Sequence, residues 1–450
     1  CRFASKIPLN PIGCGFEVII NYHQFINAEL NNLNIEMEIP ESMDKAHISD
    51  YLERMYYGNV QLFYEHKNQI VKYDAVLIDE IQDYHRSWME IIKNFFRDPK
   101  GDYVLFGDVK QNIYGQPTLQ KDVVTNVRGV NELKYCFRSD FKVRDLAQSF
   151  QQNVFGDKYD TDDFSENGSY DFFGQQQQKE GYINYMYLQD KNNIASLYTI
   201  IRGNILNKAG NISPNDITIL GYTTGLLRTF DAYYRYASRE KTNSMLETIE
   251  TMYMTHINYI GKNNGGNPNL AWFNNITEHF KKKLFPKRTT LYDYDLIKLR
   301  QHIAVLFTIY DLYVSFPDTF KERLIEECEK CRISFDVLIA FRKHYEEVLT
   351  QFKKEVYSSN YKNIGDNKKL HFWMNSGTIK ISTINSFKGW ESEVVFLVLE
   401  PKYDKSTTFN LSFDELLYTG ITRCKRNLIV INFGNEEYDI KIRPLIAKLK

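Results

Sequence analysis

Short runs of Val, Ile, Leu and aromatic residues, each closing on small or acidic residues, punctuate the chain and alternate with stretches of helical period. They predict strands at FEVIIN (16–21), AVLID (75–79), YVLFGD (103–108), YINYMYL (182–188), ITILGY (217–222), IKISTI (379–384), VVFLVL (394–399) and NLIVIN (427–432). Their alternation with the helical stretches predicts parallel sheets with crossover helices and an α/β fold class. The first three strands precede residue 110 and the rest follow residue 180, with a polar, Gln-rich stretch (156–181) read as a long loop between them. Two sheets are therefore expected. From 225 to 375 amphipathic stretches of helical period replace the strand signals, and strands resume at Ile379, which predicts a helical insertion within an α/β domain.

Composition changes this picture little. The 450 residues are 43% hydrophobic and 25% charged, ample for two to four domains at about 150 residues each, and disordered or collagen-like classes are excluded. Lys and Arg number 56 against 57 Asp and Glu, so bulk charge advertises no nucleic-acid partner, although a local basic groove is compatible with it. No apolar run approaches the length of a membrane span. Six scattered cysteines form no disulfide framework and suit a reducing cytoplasm. Cys328 and Cys331 have metal-like spacing but lie in a helical pattern without a second ligand pair, which favours plain helix over zinc. A chain beginning Cys1-Arg2 reads as a fragment or processed piece.

The candidate chemistry sits at strand ends. AVLIDEIQD delivers Asp79 and Glu80 where ligand sites of open parallel sheets gather; one carboxylate can hold hydrated Mg²⁺ while its neighbour orients or deprotonates a water. The plain alternative is a strand ending in solvated acids. YVLFGDVKQNIYG places Asp108 and Gln111 beyond the next strand, with Tyr114 behind, and an amide there can sense a terminal phosphate or its water. Arg138 in LKYCFRS and Arg423 in LLYTGITRCKRNLIVI are candidate guanidinium fingers, against the usual surface ion pair. In IKISTINSFKGWE, Thr383, Asn385 and Ser386 can bond nucleic-acid phosphates, Lys388-Gly389 permits close backbone approach, and Glu391 can accept from a ribose hydroxyl. Ordinary strand-to-helix capping is the plain reading of the same residues.

In set and order, FEVIINYHQF, AVLIDEIQD, GDVKQNIYG, LKYCFRS, STINSFKGWE and YTGITRCKRNLIV resemble the successive motifs of UvrD/Rep-type superfamily 1 DNA helicases. The resemblance implies two RecA-like P-loop NTPase domains that bind ATP in their cleft and single-stranded DNA across their tops, moving 3′ to 5′; RNA in place of DNA stays open. It implies a partial domain 1A over 1–127 with a short 1B-like segment at about 30–70, domain 2A over 128–225 and 376–450, and a 2B-like helical insertion over 226–375. It further implies Asp79 on Mg²⁺, Glu80 on the hydrolytic water, Gln111, Arg138 and Arg423 on the γ-phosphate, and Gly389 and Glu391 at the nucleotide. Tyr22, His23, Tyr114, Thr383 and Asn385 would line the DNA track. Three departures stand out. No G-x-x-x-x-G-K-[ST] phosphate loop occurs anywhere, so the first domain is expected to be incomplete and the chain inactive alone. Tyr114 is followed by Gly115-Gln116-Pro117 in place of Trp-Arg-Gly, and Asn385 stands where His is usual. The expectation is the motor portion of a bacterial, cytoplasmic ATP-dependent translocase; its rival is a nucleic-acid-binding scaffold that has lost catalysis. Glu400-Pro401-Lys402 echoes a nuclease E-x-K without the required upstream acid, and Lys281 to Lys283 read as a solvated face.

Overall fold

In the computed structural model the described residues are 21–40, 43, 45–113, 138–161, 181–188, 194–208, 213–262, 277–288, 290, 292–359, 372, 377–401 and 412–449. All but the last residue of the expected strand at 16–21, Tyr114 and most of the Gln-rich stretch lie outside them. The chain divides into two compact units. Unit 1 comprises Cys1–Cys136, Phe150–Asn167 and Asp404–Thr419; unit 2 comprises Phe137–Ser149, Gly168–Tyr403 and Gly420–Lys450.

Unit 1 is built on two parallel strands, β1 (Tyr73–Ile78) and β2 (Arg97–Leu105), in register Ile78 to Leu105. Val76 and Ile78 face inward onto Tyr22, Ile26, Trp88, Ile92 and Phe96. The opposite face leaves Leu77, Val104 and Phe106 exposed, so the period-two pleat is evident. No second layer covers that face among the described residues.

Unit 2 holds six parallel strands in the order β3-β8-β7-β4-β6-β5: β3 Ile183–Tyr187, β4 Ile217–Gly221, β5 Thr242–Ser244, β6 Ile379–Thr383, β7 Ser392–Leu399 and β8 Cys424–Asn432. The central strands β4, β7 and β8 are buried almost throughout, which is why they read as unbroken apolar runs. Helices Ile194–Lys208 and Thr224–Ser238 share their cluster through Leu197, Ile201, Leu227 and Phe230. Within the span 226–375 expected as a helical insertion, the helix Thr224–Ser238 packs in the core of the sheet and β5 pairs with β6 at its edge. Beyond β5, helices Ile249–Lys262, Asp293–Ser315, Pro317–Cys331 and Phe335–Ser359 gather around a separate core of Ile257, Phe280, Ile303, Phe307, Leu338 and Phe341. No helix among the described residues is long and apolar enough to cross a membrane.

Candidate nucleotide and nucleic-acid site

In unit 1 the carboxyl ends of β1 and β2 are stitched together past the last ladder pair. Phe106 N–H donates to Ile78 O at 2.8 Å and Ile81 N–H donates to Phe106 O at 2.9 Å. Between these bonds the chain turns sharply, with Glu80 left-handed at φ 54° and ψ 48°. A non-glycine residue there costs about 1–3 kcal/mol and persists only where its surroundings over-determine it. They do: Asp79 Oδ1 accepts the Glu80 N–H at 2.9 Å, Asp83 N–H donates to Glu80 O at 2.9 Å, and Gln82 Nε2 donates to Glu80 Oε2.

Gln82, only 1% exposed, also accepts the Asp108 N–H on Oε1 at 3.1 Å. Asp108 in turn caps the following turn, taking the Lys110 N–H on Oδ1 at 3.0 Å and the Gln111 Nε2 on Oδ2 at 3.0 Å. A Cβ at Gly107 would lie 2.5 Å from Gln82 Oε1 and from Ile81 Cγ2, so glycine is what lets β2's end close onto the Glu80 turn. Asp79 is exposed, with Oδ1 engaged by the turn. A single carboxylate at a strand end fits Mg²⁺, which keeps several waters and takes one or two protein ligands beside phosphates. Burial, with the Asp79 carboxylate adding to it, pushes the Tyr84 phenol well above its ordinary range, so that neighbour stays neutral.

In unit 2 Arg138 and Glu391 meet. Arg138 Nε lies 2.9 Å from Glu391 Oε2, and Lys425 Nζ lies 2.5 Å from Glu391 Oε1. Residues expected at opposite ends of a nucleotide thus form one exposed ion-pair cluster, with Lys425 as an unforeseen member. Arg138 is anchored by its successors: Ser139 Oγ donates to Cys424 O at 2.9 Å and Asp140 N–H donates to Lys425 O at 2.6 Å. Gly389, at φ 84°, closes the turn after β6 and is exposed. Arg423 is only 2% exposed.

Two residues expected on the DNA track are buried. Tyr22 is 1% exposed; its ring stacks on Trp88 at 4.3 Å and its hydroxyl donates to Tyr57 O at 2.7 Å, so it offers no face to a base. It opens the helix Tyr22–Asn32, capped by Asn21, and an apolar ring in the first turn rotates into the core. His23 beside it is exposed, edge-on to Tyr57 at 4.6 Å. Thr383 is likewise buried, its hydroxyl accepting the Ser386 N–H at 3.1 Å as a turn cap, whereas Asn385 is half-buried.

The remaining motifs have local roles. Glu400 is buried and accepts the Tyr222 and Thr223 N–H groups at 3.0 and 2.8 Å, capping the helix that begins at Thr224. Burial raises its carboxyl, and the Thr223 hydroxyl and amide bonds oppose that rise. Cys328 and Cys331 point into the helical core, and burial pushes the Cys331 thiol up to about 12. Lys281 pairs with Glu278, and Lys282 and Lys283 are exposed. Of the site residues, Gln82, Gly107 and Lys425 escaped the sequence reading. Gln82 lay within the quoted AVLIDEIQD, but only the strand register shows that it reaches Asp108.

Residues 378–431 match the family described as the UvrD-like helicase C-terminal domain, and this match supports a UvrD-like helicase family. The matched span contains β6, β7, the helix Phe413–Thr422 and nearly all of β8. It includes Thr383, Asn385, Gly389, Glu391 and Arg423. No curated protein matches the chain.

Proposed function

We propose that this chain is the motor portion of an ATP-dependent translocase or helicase acting 3′ to 5′ on single-stranded DNA, built on two RecA-like domains. The observation that carries the reading is the strand-end constellation of unit 1, where a left-handed turn fixes Glu80 beside Asp79 and a hydrogen-bonded path leads to Gln111. That is an arrangement suited to phosphoryl transfer, which asks a protein for positioning and electrostatic stabilisation more than for covalent chemistry.

In this reading Asp79 holds Mg²⁺, which when bound neutralises charge on the phosphate oxygens. Glu80 accepts a proton from the attacking water. Gln111 donates its amide to a γ-phosphate oxygen. Arg138 and, once its buried guanidinium is uncovered, Arg423 stabilise charge on the transferring group, and Gly389 and Glu391 contact the nucleotide. Arg138 must leave Glu391 to do so; exposed ion pairs are worth under about 1 kcal/mol, so a phosphate readily competes, and Lys425 keeps Glu391 neutralised. His23, Asn385 and Tyr114 are the proposed nucleic-acid contacts.

The test is ATP hydrolysis by the product of the full open reading frame, with and without single-stranded DNA. Glu80→Gln is expected to preserve ATP binding and to lower stimulated hydrolysis by ~100-fold or more, since an amide cannot take the proton. Near-normal turnover removes Glu80 from this role. Tight DNA binding without hydrolysis in the unaltered protein supports the catalytically inert scaffold instead.

A further inference from the structure

The hydrogen bonds at the end of the unit 1 sheet form one continuous path. It runs from Glu80 Oε2 to Gln82 Nε2, through the Gln82 amide to the Asp108 N–H, and through the Asp108 carboxylate to Gln111 Nε2. Gln82 is the one side chain in it that bridges two strand ends. Its amide is amphoteric, with donors on one atom and an acceptor on the other, and both ends are used. It is also buried, so water does not replace either bond when the side chain is removed. Gly107 supplies the space it occupies, at the cost of a Cβ that would overlap it.

We infer that Gln82 is the positioning residue of the hydrolytic site, holding Oε2 of Glu80 and tying that carboxylate to the Asp108–Gln111 turn. Glu80 and Gln111 then shift together when a phosphate arrives or leaves. The inference rests on the reading of Glu80 as the water-activating carboxylate. No atom of Gln82 reacts; it acts through Glu80 and Asp108. A misplacement of about 1 Å in such a group can cost ~100-fold in rate, which sets the size of effect expected.

Three measurements test it. In the 450-residue chain, Gln82→Met keeps the volume and removes both bonds. Hydrogen exchange at the Asp108 amide should accelerate ~10-fold or more. The Ile81 and Phe106 amides, which bond backbone carbonyls, should be unchanged and so show that the turn is intact. In the full-length product the same variant should lower kcat ~10- to 100-fold with KM for ATP within about twofold. Gln82→Glu retains the acceptor for Asp108 and loses the donor to Glu80 at neutral pH. Asp108 exchange in this variant should therefore stay slow while kcat falls ~10-fold or more, a split that a purely structural role would not produce.

Unchanged Asp108 exchange, or a normal kcat for Gln82→Met beside an inactive Glu80→Gln, overturns the inference and leaves the proposed function standing. An active Glu80→Gln overturns both.

Discussion

Mild acid should lower the stability of the helical body of unit 2, because one imidazole held neutral by burial takes up a proton only when that body unfolds. His256 lies on the helix Ile249–Lys262, is 3% exposed, and places Nδ1 2.7 Å from the Tyr345 hydroxyl on the helix Phe335–Ser359. Burial lowers its pKa from 6.5 to about 4. The unfolded chain therefore takes up a proton near pH 6.5, and the folded chain resists it down to about pH 4. Stability is complete above the unfolded value, falls as pH drops through this window, and levels off below it. At 1.36 kcal/mol per pKa unit the full loss is about 3 kcal/mol, and about 2 kcal/mol is already lost near pH 5.

The assay is urea unfolding at about pH 7.5 and about pH 5, for the unaltered chain and for His256→Gln, followed by circular dichroism and by exchange of the 249–262 segment. The unaltered chain should lose about 2 kcal/mol more than the variant between the two conditions. NMR titration of the imidazole should show no charging until well below pH 6. An imidazole titrating near 6.5 in the folded chain, or equal pH losses in both proteins, refutes the burial argument.

Tyr22→Phe should cost about 1 kcal/mol of unit 1 stability through the lost bond to Tyr57 O and leave single-stranded DNA affinity unchanged; weakened binding in a stable variant would restore Tyr22 to the track. Binding of single-stranded DNA to the full-length product should be insensitive to sequence and fall steeply with added salt, because its contacts are to phosphates and stacked bases; affinity flat with salt contradicts a phosphate-tracking groove. The 450 residues contain no G-x-x-x-x-G-K-[ST], so calorimetric titration of this chain alone with Mg-ATP should give no saturable heat and no phosphate release. Tight binding with turnover would show that another segment supplies the phosphate cradle.

The strands β4, β6, β7 and β8 were legible because full burial writes itself as apolar runs such as VVFLVL. The strand β5 was not: Thr242, Asn243 and Ser244 carry no apolar signal and are held by pairing with β6 and by Arg235, whose Nε donates to Thr242 Oγ1 at 2.7 Å. The helix Thr224–Ser238 was assigned to the insertion because period alone does not tell which neighbour its apolar face meets, and here Leu227 and Phe230 meet the sheet. At the site, the acids and amides after successive strands could be read off because strand ends are where side chains converge. Tyr22 and His23 could not be told apart, since adjacent helix positions point about 100° from each other and the sequence does not say which is inside. Glu391 and Arg138 are far apart in sequence, and nothing local announces their pairing.

The connection between β5 and β6 has a kinetic consequence. These strands are neighbours and parallel, with Ser244 opposite Ile381, so everything between them is topologically a single crossover that must return the chain to the starting end of the sheet. An enlarged crossover adds little to equilibrium closure entropy, which grows only as the logarithm of loop length. It does separate the two pairing partners widely along the chain, and contacts of high sequence separation form late. The helical body has its own core and can condense first. On that account the edge of the sheet is zipped by its own insertion, and refolding should register helices before the β5–β6 ladder.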